Sequence, residues 1–202
     1  GLSRWGWLLA CWIGLAGGSG ETGPGAGQAP DMAAARRMQR AALLMDRFDF
    51  RAGEQALAEL IRDYPTWREP RLDRAIAILN RGKTGDQAQA LLLVESFLKG
   101  EPGSVRAHYL AGLIQLQRGE AEPAAQQLQQ AVDGDPQDAY AAYFLAEALS
   151  RLGRHDEALV HYQQATGLDP LLRSAYYGVF QSLQHLTPGT DGRVPLERFQ
   201  RL

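Results

Sequence analysis

Gly82-Lys83-Thr84, with Ala77 five positions upstream, is the stretch whose residue types and spacing come nearest to a phosphate-gripping loop. Such a loop needs a strand before it, a glycine-rich turn whose amides face the phosphate, and a helix after it. Here Leu72 to Asn80 reads as helix, and Ala77 and Ile78 lie on its apolar stripe. The spacing therefore predicts an inter-helix turn over Gly82-Lys83-Thr84-Gly85 and no nucleotide site. The four histidines, His108, His155, His161 and His185, form neither HExxH nor HxxxH. His155 and His161 fall on different faces of one helix. His155 beside Asp156 has the makings of a pH-sensitive pair, but a solvated helix start is the plainer reading. Spacing shows no Ser/His/Asp arrangement, and the single cysteine excludes an internal disulfide and a CxxC site. No catalysis, no cofactor and no metal is expected.

Charge narrows the classes further. Lys and Arg number 21 against 23 Asp and Glu, for a net of −2. A nucleic-acid binder needs a clustered basic footprint, so none is expected as partner. Apolar residues make up 45% of the chain, enough to bury a core.

The elements that position these residues begin near position 30. Before it, residues 1–20 hold Arg4 and an apolar run from Trp5 to Ala16, followed by Gly17-Gly18-Ser19-Gly20. That run is shorter than the roughly 20 residues a spanning helix needs and fits a secretory h-region. Residues 1–20 are expected to be a signal peptide or a membrane anchor, which places the protein in the periplasm or outside the cell. Leu8-Leu9-Ala10-Cys11 also has the look of a lipobox, leaving cleavage, lipidation at Cys11 and retention all open. Residues 21–33, rich in Gly, Ala and Pro, read as a flexible linker.

Beyond the linker the chain repeats. Gly85, Gly119 and Gly153 are spaced by 34 residues, as are Ala90, Ala124 and Ala158, and Pro102, Pro136 and Pro170. Matched apolar residues lie between them: Val94, Leu128 and Tyr162, then Phe97, Ala131 and Ala165. Each period reads as two helices. Ala142, Leu145, Ala146 and Leu149 make one apolar stripe, and Ala158, Tyr162 and Ala165 make the next. Gly153 breaks the chain between them.

Gly153-Arg154-His155-Asp156-Glu157-Ala158-Leu159, with Tyr162, Ala165 and Leu168-Asp169-Pro170, resembles the tetratricopeptide repeat. One copy earlier, Gly112, Gly119, Ala124, Leu128, Ala131 and Asp135-Pro136 do the same. His108 and Ala142 stand where the family pattern has Trp. The resemblance covers residues 34–186, as copies at 34–67, 71–104, 105–138 and 139–172 and a partial copy at 173–186. Gly53, Leu57, Leu60 and Pro65 mark the first, degenerate copy. Residues 187–202 read as a loop and a partial terminal helix carrying Leu196, Phe199 and Leu202. The resemblance implies an all-α fold, an α-α superhelical solenoid of helix pairs.

It also implies where a partner would sit, since the first helices of such arrays line a concave groove. Groove candidates on those helices are Arg106, Tyr109, Leu113, Tyr140, Tyr143, Phe144, Glu147, Arg151, Tyr177 and Gln181. Tyrosine supplies large contact area at low entropic cost. Relatives that clamp a terminal carboxylate use Lys and Asn; Tyr109, Leu113, Tyr143 and Glu147 occupy the matching places. The expected partner is therefore a hydrophobic or aromatic protein segment, with membrane association through the N-terminal segment. The resulting expectation is a non-catalytic interaction scaffold of the cell envelope. The alternative is a docking or oligomerisation arm of a longer, enzymatic or β-propeller-containing protein.

Overall fold

The computed structural model describes residues 30–186, and the expectations for residues 1–20 and 187–202 lie outside them. The described residues form nine helices and no strand. They divide into two compact units at Gly100 and Glu101.

The first unit holds α1 (Met32–Asp46), α2 (Phe50–Asp63), α3 (Glu69–Arg81) and α4 (Asp86–Leu98), each packed on the next. The Asp31 carboxylate accepts the Ala34 amide at 2.7 Å and caps α1, which thus starts inside the stretch read as linker. Asp49 caps α2 in the same way through Ala52. Pro70 sits in the first turn of α3, where its missing N–H costs nothing. Ala34, Leu60 and Trp67 bury together, with Met38 and Tyr64 against them. Gly53, on α2 and buried, faces the Met45 side chain of α1. A polar clip ties three helices: Glu54 of α2 pairs with Arg74 of α3 at 2.8 Å, and Arg81 of α3 pairs with the buried Asp86 of α4 at 2.6 Å.

The second unit holds α5 (Val105–Arg118), α6 (Ala121–Gly134), α7 (Ala139–Arg151), α8 (His155–Leu168) and α9 (Arg173–Leu186). Again each helix packs on its successor, and α7 also touches α5 and α9 directly. Ala124 and Ala158, on the second helices, have no exposed surface. Their bare methyls let paired axes approach, which is why small residues recur at that place in the period. Both units are thus built of consecutively packed helix pairs, the all-α class expected.

The turns between paired helices share one device. Gly119 and Gly153 take left-handed φ values of 83° and 76° after α5 and α7. The next amide in each reaches back to the last helical turn, Glu120 to the Gln115 carbonyl and Arg154 to the Leu149 carbonyl. After α1 the same bond runs from Asp49 to the Leu44 carbonyl, but the left-handed residue is Phe48, at φ 61°. It is the one non-glycine with positive φ among the described residues.

Candidate functional site

The loop that came nearest to a phosphate site is the α3–α4 turn. Gly82 closes α3, and Gly85 opens α4. The Lys83 amide, one of those a phosphate would need, donates instead to the Asp86 carboxylate at 2.8 Å. Arg81 beside that carboxylate holds its pKa below the usual range. The histidines are likewise occupied. His108 bridges Gln127 at 2.7 Å and the Pro102 carbonyl at 2.8 Å, and His161 meets Gln164. Among the described residues no three metal-ligating groups gather.

His155 corrects the sequence reading. It is half-buried, and its ring lies flat on that of His185 with centroids 4.0 Å apart. Spacing along one helix could not show this, because the partner belongs to α9.

On the first helices of the second unit the aromatic residues form a connected cluster. Tyr109 of α5 meets Phe144 of α7 edge-on at 6.1 Å, and Tyr143 meets Phe144 at 5.0 Å. Tyr143 in turn lies 5.9 Å from Tyr162 of α8. The Tyr162 hydroxyl donates to Glu147 at 2.8 Å. Burial, and then the Glu147 charge, push Tyr143 up to about 12 and Tyr162 higher still.

This cluster revises the list of groove residues. Tyr109, Leu113 and Tyr143 are largely buried in the helix packing. Tyr109 reaches Phe144 of the next helix pair, a contact that the 34-residue period could not show. Glu147 is half-buried as acceptor for Tyr162. Arg151 is exposed, yet its guanidinium donates to the Leu116 carbonyl of α5 at 2.8 Å and lies 3.8 Å from Glu147. It therefore serves the C-terminal end of α5 as well as solvent. Tyr177 and Gln181 of α9 are exposed, while Arg106, Tyr140 and Phe144 are half-buried. Tyr177 stands 6.2 Å from Phe180 on the same helix.

Charge is sorted along with shape. The first helices α5, α7 and α9 carry Arg106, Arg118, Arg151 and Arg173 against Glu147 alone. The second helices α6 and α8 carry Glu122, Asp133, Asp156 and Glu157 with no Lys or Arg. The first helices thus carry most of the aromatic and cationic side chains of the second unit, and the second helices the acidic ones.

Comparison with known proteins agrees with the fold. The family model described as anaphase-promoting complex, cyclosome, subunit 3 matches residues 83–165. No curated protein matches the sequence. Among solved structures, the chain is similar to a MamA RS-1 ArsTM double mutant at 20% identity and a TM-score of 0.76. That match covers 85% of this chain and 94% of the other. It is similar also to MamA 41-end from Desulfovibrio magneticus RS-1, at 22% identity and a TM-score of 0.72, covering 85% and 93% of the two chains. A MamA AMB-1 structure follows at 20% identity and 0.69, covering 85% and 92%. At such identities the likeness shows a shared fold, the helix-pair repeat.

Proposed function

We propose that this protein is a non-catalytic adaptor of the cell envelope. It holds a segment of a partner protein against the first-helix face of its second unit. The carrying observation is the exposed and half-buried set Tyr140, Phe144, Tyr177 and Gln181 on helices that also bear four arginines and one glutamate. A ligand suited to that face is an apolar or aromatic segment with acidic residues beside it: rings stack and bury area while carboxylates meet guanidinium groups. The envelope location draws support from the apolar run Trp5 to Ala16 and the small residues after it.

Affinity capture from the native host tests the proposal. The triple variant Tyr140→Ala, Tyr177→Ala, Gln181→Ala should retain helicity and lose a partner that the parent chain captures. Equal capture by both chains would remove the face from consideration.

A further inference from the structure

A second surface, in the first unit, has its own logic. The face of α1 opposite its buried residues Ala34, Ala41 and Met45 carries Met32, Arg36, Arg40, Leu43 and Arg47. Met32 is 72% exposed and Leu43 62%, along one edge of that face, and the arginines line the side next to them. The turn that follows adds Phe48, 61% exposed, and the start of α2 adds Arg51.

Three facts set this edge apart. Among the described residues, Arg36, Arg40, Arg47 and Arg51 make no ion pair or side-chain hydrogen bond, whereas every other arginine there has a partner. Phe48 occupies a left-handed position that Gly119 and Gly153 fill in the equivalent turns. A strained backbone that persists where glycine would relieve it points to a use for the side chain. And only residues 17–31 separate the apolar run Trp5 to Ala16 from Met32.

We infer that the α1 face and the α1–α2 turn form a bilayer-contact surface, in which Phe48, Leu43 and Met32 enter the headgroup region of an anionic membrane and Arg36, Arg40, Arg47 and Arg51 pair with lipid phosphates. Cationic residues alongside exposed apolar ones are what an interfacial helix needs, and basic residues near a membrane segment gain from the surface potential of anionic lipid. An acidic protein would satisfy the arginines but leaves the exposed Phe48 and the nearby apolar run without a role.

Vesicle co-sedimentation of the full chain tests the inference, with phosphatidylcholine alone and with phosphatidylcholine containing phosphatidylglycerol. The full chain should bind the anionic vesicles at least about tenfold more strongly, and salt should reduce that preference. Arg36→Glu, Arg40→Glu, Arg47→Glu should abolish the preference and leave any binding to neutral vesicles, due to residues 1–20, unchanged. Phe48→Gly should weaken anionic binding severalfold without loss of thermal stability, so that misfolding cannot explain the effect. Equal binding to both vesicles by the parent chain, or an undiminished preference in the charge-reversed variant, overturns the inference. Failure to sediment with either vesicle does so as well and leaves an acidic protein as the occupant. None of these readings depends on the partner face of the second unit.

Discussion

The Tyr162 ring occupies the space that a β-carbon on Gly178 would need. One period earlier the two positions hold Leu128 and Phe144, a smaller side chain against a larger one. At Gly178 the bulk lies on the second helix and the small residue on the next first helix. Gly178→Leu should overpack this contact and cost about 1–3 kcal/mol. Adding Tyr162→Leu should recover part of that loss, so a double-mutant cycle read by denaturant melts should give a coupling above about 0.5 kcal/mol.

The buried tyrosines make a second test. Tyr143→Ala should destabilise the chain by about 3 kcal/mol, because a ring wedged between Phe144 and Tyr162 is removed. Tyr177→Ala, at an exposed ring, should cost well under 1 kcal/mol. Reversed magnitudes in thermal or urea melts would contradict the assignment of packing and surface roles.

These phenols also predict alkaline behaviour. Tyr143 and Tyr162 titrate higher folded than the roughly pH 10 of an unfolded tyrosine, through burial and the Glu147 charge. Between the two values the native state holds more protons. Their stabilising contribution is thus complete below pH 10 and lost as pH rises through the folded values. Ultraviolet titration should show a late tyrosine class that disappears when Tyr143→Phe and Tyr162→Phe are made.

Asp86 behaves with the opposite sign. Its folded pKa is held down chiefly by Arg81, so its contribution is complete above about pH 4 and fades as pH falls through the folded value. Asp86→Asn should cost about 2–3 kcal/mol at pH 7, since it leaves Arg81 facing a neutral group at a buried site. The gap between parent and variant should narrow towards pH 3.

Phe48 supplies the last prediction. A bulky residue in the left-handed region costs about 1–2 kcal/mol, partly offset here by its edge-on contact with Phe50 at 6.2 Å. Phe48→Gly should therefore raise the melting temperature or leave it level, whereas Gly153→Val should lower stability by about 1–2 kcal/mol.

The helix pairs were legible because small and turning residues recur at one interval: Ala90, Ala124 and Ala158 are all fully buried where the period put them. Phe48 was not recognisable as the fourth turn residue, since a left-handed phenylalanine has no sequence signature. Side-chain partners were harder for a general reason. Arg151 reaches Leu116 and His155 reaches His185 across helix boundaries, and a helical wheel drawn for one element holds neither contact. The same blindness hides the burial of Tyr109, Leu113 and Tyr143: they lie off the main stripe of their own helices, and Tyr109 meets Phe144 of the next pair.

Trp67, buried against Ala34 and Leu60, belongs to the first unit, and the second unit has no tryptophan among its described residues while holding six of the seven tyrosines. With Trp5, Trp7 and Trp12 replaced by phenylalanine, indole emission would track the melting of one unit and phenol absorbance chiefly that of the other. A single sample could then reveal whether the two halves come apart together or in succession, with no dye attached.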